Sequence, residues 1–208
     1  METVDWQPGL RERKKRALRA RLSSTATRLF LDRGFDAVRV TEIAAACDVS
    51  EKTVFNYFPT KEALLLDRFD DTLTSLQRLL STADADLLDA ARTVLDAELD
   101  ALAGWLERQE DPAGAREQLR RFRELAVSTP GLRAYQHDMT ERLTDVATGF
   151  LTDRGRGAPE ARITAIAVTG LWRVQADSLT RHLTDPDLRA AVATDVDRAA
   201  AVIASITE

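Results

Sequence analysis

The stretch VSEKTVFNYFPTKEALL, residues 49–65, decides how this chain is read. It places Phe55, Tyr57 and Phe58 within four positions and then stops them at Pro59. Ser50 is a good helix N-cap, and a proline restricts the residue before it and brings no donor to a helix, so a short helix is expected over 51–58. At about 100° per residue, Val54 and Phe58 point one way, Lys52 and Asn56 point almost opposite, and Thr53 and Tyr57 fall on a flank. Val54, Phe58 and Val49 are then core residues, packed on Phe30, Phe35 and Ile43. Lys52 and Asn56 face out with the chemistry of base readers: Lys donates to guanine O6/N7, and Asn bonds adenine bidentately. Tyr57 can pack its ring and offer its hydroxyl to a phosphate oxygen.

Working outward, VTEIAAA (40–46) reads as a second short helix, with a tight turn at 47–49 before the third. Apolar residues at 18, 22, 26, 29 and 30 follow helical spacing, and Gly34 suits the end of that first helix. Short helix, tight turn, short helix is a helix-turn-helix. Charge agrees. Up to Glu62 the chain holds 12 Lys/Arg against 9 Asp/Glu, and beyond it 17 against 25. LRERKKRALRARL (10–22) alone carries seven Arg or Lys against one Glu. A basic end on an acidic body suits a polyanion bound by one end.

These residues resemble the TetR (tetracycline-repressor-like) family. GFDAVRVTEIAAACDVSEKTVFNYFPTKEALL (34–65) carries its DNA-binding pattern: Gly-Phe, a second helix containing Ile-Ala, a turn ending Val-Ser, then Thr, aromatics, Phe and Lys-Glu-x-Leu. The resemblance implies an all-α protein, with a three-helix helix-turn-helix DNA-binding domain over 1–60 (1–10 a disordered arm) and a larger helical ligand-binding and dimerisation domain over 61–208. It implies a repressor released from its operator by a small molecule. Lys52 and Asn56 are assigned to base or groove contacts, and Thr53, Tyr57 and Lys61 chiefly to phosphates. Arg39 and Thr41, at the start of the second helix, complete the DNA-binding set. Three positions depart from the family pattern. Phe55 stands where tyrosine is frequent and loses a phosphate hydrogen bond; Arg39 stands where threonine is; and Cys47-Asp48 replaces Ala-Gly, which asks Asp48 for a left-handed conformation.

Beyond residue 60, turn formers separate expected helices at 61–81, 86–110, 113–127, 131–153, 159–183 and 187–206. The last two carry long apolar faces and, by the resemblance, pair with a second copy in a four-helix homodimer interface. Glutamate at Val196 or Val202 is expected to put a charge into that interface, or into the core if the face is assigned otherwise. The helix over 61–81 is the lever between ligand and DNA. Ligand-binding residues are sought among aromatic and polar groups on apolar faces: Leu102, Trp105, Phe122, Met139, Leu143, Trp172 and Gln175, with Tyr135 and Phe150 beside them. For each ring or Met alone, ordinary core packing is the commoner role. Gln175 lies one turn from Trp172, and a buried amide needs partners. The run LRRFRELAVSTPGLRAYQHDM resembles a subgroup described as binding acyl-CoA-like ligands, with Arg120, Arg121 and Arg123 as phosphate contacts.

An enzyme finds little support. His137 and His182 stand 45 residues apart with no ligand-spaced partner, and no Gly-rich phosphate loop, HExxH or GxSxG occurs. No catalytic residue, metal or cofactor is assigned. The single Cys47 builds no disulfide framework, and the absence of a long apolar run points to a cytoplasmic protein without a membrane span. A ligand-blind or architectural DNA binder is the alternative that keeps the same first domain.

Overall fold

A computed structural model describes residues 9–207. The arm expected at 1–10 therefore lies, apart from Gly9 and Leu10, outside the described residues. Those residues form nine α-helices and one short 3-10 turn, and the chain divides into two compact units between Asp67 and Arg68.

The first unit holds α1 (Leu10–Arg33), α2 (Val40–Ala46), α3 (Glu51–Tyr57) and a 3-10 turn at Glu62–Leu64. Its core includes Leu22, Ala26 and Phe30 from α1, Phe35 and Val38 from the loop, Ile43 from α2, Val54 from α3 and Phe58 just past its end. Phe30 and Phe35 stack obliquely, with ring centroids 4.9 Å apart. α1 ends where Gly34 takes φ 86°, which closes a bond from its N–H to Phe30 O. Asp48, at φ 52°, takes the left-handed turn between α2 and α3.

The expected helix over 61–81 is not continuous. Thr60 Oγ1 accepts from Ala63 N at 3.2 Å and starts a single 3-10 turn, and the next α-helix, α4, runs only from Phe69 to Leu80. Two causes are visible. Ala63, Leu64 and Leu65 are all buried, and three consecutive buried residues do not fit one face of an α-helix. Arg19 also draws the carbonyl of Asp67 to itself at 3.3 Å. A rigid rod from 61 to 81 is thus absent, and α4 opens the second unit.

That second unit adds α5 (Leu87–Glu107), α6 (Pro112–Ser128), α7 (Pro130–Asp153), α8 (Ala158–Arg181) and α9 (Leu188–Thr207). One apolar core runs through α4 to α9, with Leu76, Leu95, Leu99, Leu143, Leu171 and Val192 among its most buried members and Ala115 contributed by α6. α7 and α8 meet through a buried hydroxyl pair, Thr144 to Thr169 at 2.9 Å, and through Arg162 with Glu141 and Asp145. Arg116 fastens α6 by donating to the carbonyls of Leu183 and Asp185 in the α8–α9 turn. Val196, expected at a subunit interface, belongs to this core at 5% exposure, whereas Val202 is 62% exposed. One helical face cannot hold both, since six residues on a helix lie most of the way to opposite sides.

Candidate DNA-binding face and ligand region

α3 begins at Ser50, whose hydroxyl accepts from the Thr53 N–H at 3.1 Å and also meets Thr53 Oγ1 at 2.8 Å. Val54 and Phe58 are fully buried, and this fixes the rotation of the helix. Lys52 and Asn56 are consequently exposed, with Phe55 beside them at 43% exposure, while Thr53 and Tyr57 are half-buried on the flank. Arg39 and Thr41, at the start of α2, are exposed too. The Arg39 backbone N–H donates to Glu42 Oε2 at 2.8 Å, and this contact, followed by the Arg33 guanidinium, holds the Glu42 carboxyl below its ordinary value.

Basic side chains lock the unit from within. Arg19 donates to Tyr57 O at 2.8 Å and lies over the Phe58 ring, 4.4 Å from its centroid. Arg21 donates to Cys47 O at 2.5 Å, at the turn that aims α3. Lys61 donates to Phe35 O at 2.7 Å and sits 4.4 Å from the Phe35 centroid. Its ammonium is therefore already engaged inside the unit, with two of its three hydrogens left over.

The residues expected to form a ligand site are spread over four helices. Met139, Leu143 and Gln175 are buried, at 7%, 1% and 6% exposure; Leu102, Phe122 and Trp172 are half-buried; Trp105 stands at 36%. Leu143 belongs to the main core, and Leu102, Phe150 and Trp172 pack against it. A hollow is outlined elsewhere, at the α5–α6 turn, walled by Arg108, Gln109, Asp111 and Gln118, and none of the expected residues lines it. The arginines of α6 have partners in the fold: Arg120 pairs with Glu117 and Glu124, and Arg123 turns inward to Ala176 O and Thr180.

Sequence reasoning missed Glu98. As a whole residue it is only half-buried, yet its carboxyl is enclosed enough that desolvation pushes its pKa up, against opposing pulls from Thr72, Trp172 and Arg68. Thr72 Oγ1 on α4 donates to Glu98 Oε1. The Trp172 indole N–H acts on the same carboxyl without reaching hydrogen-bond geometry, so its buried Nε1 has no partner. The signal was in the sequence: Glu98 interrupts the apolar stripe Ala91, Val94, Leu95, Leu102 of α5 at a position due to be apolar.

Among the described residues no helix is long and apolar enough to cross a membrane, and no group of three His, Cys, Asp or Glu side chains could hold a metal ion.

Residues 22–67 match the family described as bacterial regulatory proteins, tetR family. A protein named as a mycofactocin biosynthesis transcriptional regulator, from Mycobacterium tuberculosis, is 30% identical over 138 residues, 65% of this chain and 65% of that one. The next curated relatives are matched over only 22% and 26% of their own length, so the likeness to them is confined to a segment. Among solved structures, a SmeT–triclosan complex superposes with a TM-score of 0.59 at 17% identity, covering 89% of this chain and 91% of that one. A Thermus thermophilus FadR in complex with lauroyl-CoA gives 0.51 at 24% identity, covering 89% and 93%. At such identities the superpositions establish the fold.

Proposed function

We propose that this member of the tetR family of bacterial regulatory proteins binds a near-palindromic operator as a homodimer and leaves it when a small molecule enters the second unit. The observation that carries the reading is α3 itself: a core-locked helix with Lys52 and Asn56 turned outward. In the proposal those two read base edges, while Arg39, Thr41, Thr53 and Tyr57 hold the backbone on either side. Lys61 joins them with the hydrogens that Phe35 O leaves free.

Dimerisation is supported by four large apolar side chains left in the open on the last two helices. Ile163 and Ile166 on α8 are 67% and 49% exposed, and Val202 and Ile206 on α9 are 62% and 69% exposed. Each pair sits at helical spacing on one face, which a second copy would cover. A twofold dimer would present two α3 helices to half-sites about one helical turn of DNA, or a multiple of it, apart.

For the ligand, an acyl-CoA-like thioester is one class to try, because a structural relative holds lauroyl-CoA. The internal partners of Arg120 and Arg123 speak against those two as its phosphate contacts. Selection from a random duplex library, followed by titration of the recovered site, tests the whole reading. A palindromic consensus bound at least about a thousandfold more tightly than random duplex is expected. Equal affinity for all duplexes would overturn it.

A further inference from the structure

Glu98 on α5 is an enclosed carboxyl that its tie to Thr72 on α4 does not saturate. Its position belongs to an apolar stripe, and Thr72, on the neighbouring α4, is the one side chain that donates a hydrogen bond to it among the described residues. A carboxylate has about four acceptor sites, so most of its capacity is unused. The indole N–H of Trp172 acts on the same carboxyl, yet its buried Nε1 makes no bond of hydrogen-bond geometry, and the buried amide of Gln175 lies one turn further along α8. A donor and an acceptor that act on each other without closing a hydrogen bond can both be completed by a third member.

We propose that Glu98 and Trp172 form the polar recognition point of the second unit, and that it takes an apolar small molecule headed by a protonated amine. This rests on reading the second unit as the ligand-receiving part of a regulator. An ammonium beside Glu98 favours the charged carboxylate and supplies the donors it lacks. A fully charged Glu98 in turn gives the Trp172 N–H an acceptor. The indole face offers the same cation a further attraction. A carboxylate or phosphate on the ligand would instead meet like charge in an enclosed place.

The ligand's apolar part lies along Leu102, one turn from Glu98 on α5, and along Phe69, on the Thr72 face of α4; both are partly buried side chains packed on the core. Arg68, at the start of α4, is the cation that now acts on Glu98. Thr72 ties the two together, since its hydroxyl also lies 3.3 Å from Arg68 O. An incoming amine displaces Arg68 as the counter-charge, and α4 is the first helix after the DNA-binding unit in the chain. The ligand's differential contact with α4 is what can change operator affinity.

Three probes with one skeleton test this: phenylbutylamine, phenylbutanol and phenylbutyrate. Each is titrated calorimetrically into the free full-length protein, and operator retention is followed separately on the same preparation. The amine should bind about tenfold or more tightly than the alcohol, with the acid weakest, a ratio set by one charge-assisted hydrogen bond. Glu98→Gln, a neutral isostere, should bring amine and alcohol level. An acid that matches the amine, a ranking unchanged in Glu98→Gln, or no heat from any probe at millimolar concentration overturns the amine site. Operator binding released by acyl-CoA thioesters but not by the amine would leave the regulator standing and remove this proposal. Amine binding with no operator recognised at all would do the reverse.

Discussion

In the first unit, charged side chains near the core are committed to the unit's own backbone: Arg19 to Tyr57 O and Asp67 O, Arg21 to Cys47 O, Lys61 to Phe35 O. The second unit also commits Arg116 and Arg123 to its own carbonyls, but among the described residues it leaves one polar point wanting: the buried Trp172 Nε1 closes no hydrogen bond, and Glu98 is enclosed with its pKa pushed up. An unsatisfied buried polar group costs about 1–3 kcal/mol. A reading head gains from rigidity, because base contacts demand fixed geometry. On the proposed function, a ligand-receiving unit gains from a small deficit that a ligand can make good. The contrast predicts that substitutions in the first unit alter what is bound, and that substitutions at the polar point of the second alter when.

The largest effects should fall on α9, where two valines six positions apart have opposite surroundings. Val196→Glu buries a charge in the core of the second unit and should cost on the order of 4 kcal/mol or more, enough to unfold that unit. Val202→Glu charges an exposed face and should yield a folded monomer in sedimentation. A dimer that survives Val202→Glu would remove α9 from the interface. Folded Val196→Glu protein would contradict the core.

Next come the proposed base contacts. Lys52→Ala and Asn56→Ala should each cost about 1–3 kcal/mol on the cognate operator and relax preference at particular base pairs. Losses of equal size on random duplex would move either residue to the phosphate class. Here the comparison between units can break: if these alanine variants also shift ligand affinity in the absence of DNA, the head is not merely a reader.

How much of this was legible follows from the same contrast. The first unit could be read because its fold is decided locally, by Ser50, Pro59, Gly34 and the spacing of Val54 and Phe58, each acting within one or two turns of chain. Asp48 in the left-handed region was foreseeable for that reason. In the second unit, periodicity located α5 to α9 within two or three residues, but not α4, because a carbonyl captured by Arg19 from 48 residues away is a tertiary event. The same limit applied to Val196. Its face repeats Val192 and Ala200, and spacing alone does not say whether a second helix or a second subunit covers it. Glu98 was readable as an interruption in an apolar stripe, but aromatic residues drew the search instead.

A smaller effect separates burial from function at Glu98. Its carboxyl is raised above its ordinary 4.5 by desolvation, so over the interval from about that value up to the folded one the native state holds more proton than the unfolded state. Stability is therefore greatest below the interval and declines as pH rises through it. Glu98→Gln removes that decline. The variant should be more stable than wild type at neutral pH, with the difference shrinking on acidification, as urea titrations at several pH values would record. Parallel profiles would mean that the carboxyl is well solvated in the folded protein. A gain in stability joined to a loss of amine binding is the signature of a group kept for its ligand.

The smallest effect concerns Lys61, which stands between the two kinds of role. Its ammonium donates to Phe35 O and lies near both Phe35 and Phe30, so Lys61→Ala removes one hydrogen bond and two ring contacts from the first unit. The stability loss should be about 1 kcal/mol. If the remaining hydrogens also reach a phosphate, operator affinity should fall alike on all duplexes, and the slope of log affinity against log salt should drop by roughly one unit. Lys61→Arg separates the roles further, since it keeps the charge but cannot reproduce a compact ammonium between two rings and a carbonyl. Recovery of the salt slope in Lys61→Arg without recovery of stability would assign the residue to both DNA and the core. An unchanged slope in Lys61→Ala would leave it as one more basic side chain turned on its own backbone, as Arg19 and Arg21 are.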